Sequence, residues 1–325
     1  MATIVLIHGI AQEQLGADSL QSRWRPALAD GVRAAGYPDL ADLVAHDTRP
    51  GGINIRMAFY GDLFLTPGTM GIGTADPANE TQRELVEQLA AEWLARAAGR
   101  EVPDRSTAAT QLSYLNPAGH DEQGALREGQ RSALNGLAKL RWFAPFGMAF
   151  SGRFVATSLH QVTRYLTDEE IREAVQQRVS AHLDADTQVL IGHSLGSVVA
   201  YEAAHRLARP LPLLITLGSP LGLGSVVYDR IVPQPPAYPP QVHRWVNIAD
   251  RNDLIAARPD LSPMFGTPPT GAVFDGGWTV HNGAKPHQAE FYLTKEQTGR
   301  PIGEVLHGSQ LRHEAQRVDL TSDAD

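Results

Sequence analysis

A serine held between two glycines is the first place where this chain could do chemistry. Gly192-His193-Ser194-Leu195-Gly196 follows a short apolar run, Val189, Leu190 and Ile191, and precedes a segment of helical character from about Ser197. Strand, then G-x-S-x-G, then helix is the context in which this spacing has a physical meaning. So tight a turn crowds its neighbours, and glycine at both flanks removes the Cβ atoms that would clash. The serine then stands above the end of a sheet at the positive end of a helix, where the Leu195 N–H can donate to an oxyanion. A hydroxyl alone is a poor nucleophile at neutral pH. It needs a base within hydrogen-bond reach and a third group to orient that base.

The chain offers candidates for each further part. His8-Gly9-Ile10 closes an apolar, β-branched run, Thr3 to Ile7. Gly9 allows a sharp turn there, and the Ile10 N–H falls at the carboxyl end of the same sheet as a second oxyanion donor. The His8 side chain is read as a polar residue closing a strand. For the acid, Asp250 and Asp253 both follow a strand at Val242 to Ile248; for the base, His281 and His287 both follow a last sheet segment at Ala272 to Val280. His193 is expected to pack beneath the turn. Asp62, after a strand at Ile53 to Tyr60, reads as a loop carboxylate.

The elements that must position these residues alternate between strand and helix. Helical stripes are expected over Gly16 to Ala35 (Leu20, Trp24, Leu28, Val32), over Glu80 to Ala98 (Leu85, Leu89, Trp93) and over Thr167 to Leu183 (Ile171, Val175, Val179, Leu183). Thr167 and Glu170 have the spacing of a capping box at the start of the third. Leu211 to Leu217 reads as another strand, ending in Gly218-Ser219-Pro220, and Pro301 to Val318 as a last helix. The proline-rich stretch from Val226 to Pro240 reads as a stiff, extended surface connector. Such alternation predicts an α/β fold with a doubly wound, mostly parallel sheet, one domain over residues 1–325. The stretch from Arg100 to Tyr165 departs from the pattern. It carries an aromatic cluster, Trp142, Phe143, Phe146, Phe150 and Phe154, and is too long for a structureless loop. Residues 100–165 are therefore expected to form a helical lid whose aromatic face either lines an apolar pocket or packs the lid on the core.

Composition removes several classes of function. A net charge of −8 argues against nucleic acid as a partner. There is no cysteine, which excludes thiol chemistry and cysteine-ligated zinc. No histidine pair has metal-ligand spacing, and no cofactor is called for. MATIVLIHG at the start has neither the basic region nor the cleavage site of a secretory leader, and no apolar run is long enough for a membrane span. A cytoplasmic location is the expectation.

Together, the His8-Gly9 pair, Gly192 to Gly196, the strand–GSP segment at Leu214 to Pro220, the Asp250/Asp253 loop and His287 resemble the α/β-hydrolase superfamily, in its serine esterase or lipase-like form. The resemblance covers most of the chain outside 100–165. It implies the chain order Ser, acid, His, with Asp253 as the acid, because in lipases of this class the later aspartate precedes a small or branched apolar pair. It implies His287 as the base, just before the last helices. The implied activity is cleavage of a carboxylic ester with an apolar acyl group through an acyl-enzyme on Ser194. Acyl transfer, thioester cleavage and peptidase activity use the same residues, and a hydrolase fold kept for binding alone is the non-catalytic alternative. The chain lacks the extended HGGG run of one esterase branch, so that branch's substrate does not carry over.

Overall fold

Short β-branched and apolar runs become the inner strands of the sheet, buried on both faces, while the edge strands are partly exposed. The computed structural model describes residues 2–46, 52–65, 80–115, 133–140, 142, 151–256 and 258–322. Its strands are β1 (Thr3–Ile7), β2 (Asn54–Ala58), β3 (Thr187–His193), β4 (Leu211–Leu217), β5 (Val242–Asp250) and β6 (Val273–Val280). They form one six-stranded sheet in the order β2-β1-β3-β4-β5-β6. Every pairing is parallel. Parallel neighbours need crossovers, and the helices supply them on both faces.

The period-two alternation of the strands divides the core. Val5, Ile7 and Leu190 face one layer, with α3 (Glu80–Gly99), α5 (Ser151–Thr167), α6 (Glu169–Ser180) and α7 (Leu195–His205) packed against them. Ile4, Leu6, Val189 and Ile191 face the other, against α1 (Ala17–Ala34), α2 (Pro38–Ala45), α8 (Ala289–Leu293) and α9 (Glu296–Ser322). Each fully buried Leu, Ile or Val contributes about 1.5–3 kcal/mol relative to exposure. A further helix, α4 (Arg105–Leu115), packs on α3. Among the described residues no helix is long and apolar enough to cross a membrane.

β1 has β2 on one side and β3 on the other, so the winding reverses between β1 and β3. At such a switch point the connections leave in opposite directions and open a crevice at the carboxyl ends of the strands. Gly9 and Ser194 lie at those two ends.

Several local expectations change. Thr167 does not cap α6. Helix α5 runs through it, and its hydroxyl donates to the Thr163 carbonyl at 2.7 Å, as helical threonines do. Asp168, with extended backbone, is the cap, accepting from the Glu170 and Ile171 N–H groups at 3.1 and 3.2 Å. The helix after Ser194 begins at once, at Leu195. Helix α2 was not foreseen; Pro38 starts it by presetting the backbone at its first position. The proline-rich segment runs as successive bends that bury Ile231 and Tyr238 rather than as a continuous extended strap. Within 100–165, the described parts of the chain are largely helical, whereas Phe143, Phe146 and Phe150 lie outside the described residues.

Helices α1 and α9 cross at backbone contact. A Cβ on Gly299 would overlap the Gly31 carbonyl, and a Cβ on Gly31 would overlap that of Leu293. Gly299→Ala is expected to lower stability by about 1–3 kcal/mol, the usual penalty of overpacking. An unchanged urea midpoint would show that the two helices can separate at no cost.

Candidate active site

The turn after β3 has the geometry its glycines suggest. Ser194 has φ 56° and ψ −129°, a conformation that L-residues rarely adopt. Such strain costs on the order of 1–3 kcal/mol and persists only where the surroundings enforce it. The surroundings are backbone. A Cβ on Gly192 would overlap the Gly196 carbonyl, and one on Gly196 would overlap the carbonyls of Ile7 and His8. A Cβ on Gly9 would lie 2.7 Å from that of Ser194. The Ser194 N–H donates to the Leu217 carbonyl at the end of β4, 3.0 Å away. Behind it, the Ser197 hydroxyl donates to the Ser194 carbonyl at 2.5 Å and contacts the Ser219 hydroxyl at 2.7 Å.

From Ser194 a hydrogen-bonded chain runs through two further side chains. His287 Nε2 lies 3.0 Å from Ser194 Oγ, and His287 Nδ1 lies 2.7 Å from Asp253 Oδ2. With Nδ1–H donating to the carboxylate, Nε2 is left to accept the serine proton. Asp253 is fully buried and saturated with donors. Its Oδ1 accepts from the N–H groups of Ile255 (2.9 Å) and Ala256 (3.4 Å), and Oδ2 accepts a second bond from the Tyr292 hydroxyl at 2.8 Å. Asp250 is elsewhere. Its Oδ1 accepts from the Asn252 N–H at 2.7 Å and Oδ2 from the Asn282 N–H, so it ties two loops together. His281 is exposed, with its carbonyl accepting from Lys295 Nζ at 2.9 Å.

Further residues hold Asp253 and His287 in register. Tyr292 donates to Asp253 and accepts from the Asp250 N–H at 2.8 Å; burial and the Asp253 charge push its phenol well above the ordinary range. Arg100 reaches over from the end of α3 to donate to the carbonyls of Asp253 (2.6 Å) and Ala256 (3.1 Å). Gly218 turns at φ +53° under the pair, where a Cβ would sit 2.8 Å from Asp253 Oδ2. His193 packs against His287 at 4.7 Å between ring centres and donates Nε2–H to the His287 carbonyl at 2.9 Å. Burial, reinforced by His287, keeps it neutral by holding its imidazole well below the usual range.

His8 supports the other side of the crevice. Its Nε2 accepts the Tyr60 N–H at 3.0 Å, so the proton sits on Nδ1, 2.6 Å from the Gly9 carbonyl. The Tyr60 hydroxyl donates to the His8 carbonyl, and the two rings stack at 4.1 Å. Beyond this turn Ala11 has φ 59°. Among the described residues neither the Ile10 nor the Leu195 N–H has an acceptor. Asp62 pairs with exposed Arg178 at 3.0 Å, away from Ser194, and Trp24 is core.

The space beside Ser194 is small and apolar. A cavity of ≈ 10 Å³ is lined by Ile10, Leu89, Trp93, Val162, Leu195, Pro220, Leu223, Val227 and Ile255 along with the serine. Trp142, whose backbone N–H donates to the Asp104 carboxylate at 2.8 Å, stands with its ring centre 5.8 Å from that of His287. A larger open groove lies at the C-terminal ends of α6 and α7, remote from these residues. Among the described residues no group of three or more potential ligands is placed to hold a metal ion. No protein-family model, curated protein or solved structure matches the chain.

Two outcomes follow from this geometry. Burial lowers the His8 pKa from 6.5 to about 4, with the Gly9 carbonyl and Asp62 opposing it. The unfolded chain therefore binds a proton at higher pH than the folded one, and the stability is present above about 6.5 and lost as pH falls towards 4. Between pH 6.5 and 5 this amounts to about 2 kcal/mol, and His193 adds in the same direction, whereas Glu87, raised by burial to about 7, and Glu202, also raised by burial, take up protons in the folded state over that interval and oppose it. The readout is therefore the His8 ring itself, followed by NMR: an imidazole that titrates near 6.5 in the folded protein would contradict it. Gly218→Ala should push the Asp253 carboxylate off His287. The deshielded Nδ1 proton in the NMR spectrum is expected to move upfield or broaden away; an unshifted resonance would show that the pair does not depend on Gly218.

Proposed function

We propose that this chain is a serine hydrolase of the α/β-hydrolase kind, cleaving a carboxylic ester with an apolar acyl group. The observation that carries the reading is the continuous relay from Ser194 Oγ through His287 to the buried carboxylate of Asp253, ending on a serine in strained backbone. His287 Nε2 takes the hydroxyl proton as Oγ attacks the ester carbonyl, and Asp253 stabilises the imidazolium that forms. The Ile10 and Leu195 N–H groups receive the negative charge on the carbonyl oxygen. Each such donor is typically worth about 2.7–4 kcal/mol of barrier. His287 then returns the proton to the leaving alkoxide. An acyl-enzyme remains, and water activated by the same imidazole releases the acid.

The apolar lining beside Ser194 supports an apolar acyl group, since among the described residues no charged side chain borders the cavity. At ≈ 10 Å³ that cavity has room for about one water molecule, so substrate entry requires its lining to move. Residues 100–165, which bring Trp142 beside His287, are the proposed cover. A scaffold kept for binding alone has no use for a strained serine, which costs stability with nothing gained.

A fluorophosphonate probe should label the wild-type protein and leave Ser194→Ala unlabelled. In a p-nitrophenyl ester chain-length series, Ser194→Ala and His287→Ala should lose about 10⁴-fold or more in kcat, and Asp253→Asn somewhat less. Asp250→Ala that abolished turnover while Asp253→Ala retained it would reverse the assignment of the acid. Failure of the folded wild type both to label and to hydrolyse would end the proposal.

A further inference from the structure

Gln161 is buried in the middle of α5, in a segment that carries no part of the relay. Its side chain reaches across to the loop after β1. Oε1 accepts the Ala11 N–H at 2.8 Å, and Nε2 donates to the Glu13 carboxylate at 2.9 Å. Ala11 is one of two non-glycine residues with positive φ among the described residues, the other being Ser194. A left-handed alanine next to the proposed oxyanion donor, Ile10, needs something to hold it there. The local contacts do not suffice: Gln12 Nε2 bonds only the Ile10 carbonyl, at 3.2 Å, and the Gln12 backbone rests against Gly61. The bond that reaches the strained residue itself comes from Gln161.

We infer that Gln161 is a positioning residue that latches the Ile10–Glu13 loop to α5 and thereby aims the Ile10 N–H at the oxyanion. This inference rests on the proposed hydrolase reading. Both ends of the amide are used, one as acceptor and one as donor, so its orientation is fixed by its partners. The latch acts on the developing negative charge rather than on ground-state binding. Its loss should therefore appear in kcat and leave KM nearly unchanged. It also gives α5 a role besides covering the core: a displacement of α5 would carry the oxyanion loop with it.

The test exploits the donor–acceptor pattern. Gln161→Glu keeps an acceptor for the Ala11 N–H but sets a carboxylate against that of Glu13. Its kcat for a p-nitrophenyl ester is expected to fall about tenfold or more at neutral pH, with KM within about threefold of wild type. The exchanged pair Glu13→Gln/Gln161→Glu restores both hydrogen bonds, the Ala11 N–H still donating to position 161 and the bond between positions 13 and 161 now running the other way, and should recover most of kcat. Amide hydrogen exchange supplies a readout independent of turnover: Ala11 should lose protection in Gln161→Leu relative to wild type. Unchanged kcat in Gln161→Glu, a loss confined to KM, a loss that the exchanged pair does not repair, or unchanged Ala11 protection would each overturn the latch. A wild type with no Ser194-dependent turnover would instead sink the hydrolase reading, and the Ala11 exchange measurement would still decide whether Gln161 holds the loop.

Discussion

Everything at this site depends on the closeness of two strand ends. The carboxyl termini of β1 and β3 approach until Gly9 touches Ser194 and Gly196 touches the carbonyls of Ile7 and His8. No side chain larger than hydrogen fits at the contact points. The strained backbone of Ser194 is thus enforced by main-chain packing on three sides rather than by its own preference. Because β1 and β3 are also where the winding of the sheet reverses, this crowded point opens outward into a crevice. Local compression and the crevice come from one topological fact, and the apolar lining closes over the buried Ser194.

The two halves of the site are supported differently. On the β1 side, neutral His8 and Tyr60 hold the glycine turn, and Gln161 fastens the loop beyond it. On the β4–β6 side, Asp253 and His287 sit on loops, and loops need external fixing. Arg100, Tyr292 and His193 supply it by bonding to the loop backbone or to the carboxylate, and Gly218 leaves them room. These side chains come from α3, α8 and β3. The supporting shell is therefore drawn from both faces of the sheet and converges on two loop residues.

Much of this was legible in the sequence, for identifiable reasons. Strands β1, β3 and β4 announce themselves because their apolar runs are buried on both faces; β5 is plainer in its second half, after the exposed His243 and half-buried Arg244. The G-x-S-x-G turn is readable because only glycine satisfies its two contacts. Candidates for acid and base could be named from their places after strands, but choosing between Asp250 and Asp253, or His281 and His287, turns on which loop residue points inward, a tertiary property. The Thr167 box failed because it assumed a helix boundary one residue too early, where two helices meet with a single residue between them. Arg100, Gln161 and Tyr292 carried no local signal at all. An arginine at a helix end, a glutamine within a helix and a tyrosine near the end of a short one are ordinary. Their partners lie far away in the chain, and no spacing rule connects them.

The glycine contact between α1 and α9 has a bearing on how this molecule is made. Gly31 and Gly299 belong to helices near opposite ends of the described chain, and β1 pairs with β3 across most of the intervening sequence. Contacts of such long separation close late and slow the search for the native state. During synthesis, the first strand and helix must wait for partners not yet made. Ser194 emerges well before His287, so the hydroxyl passes through the early stages of folding without the imidazole that would deprotonate it. Its reactivity, on the proposed reading, is withheld until the last helices dock.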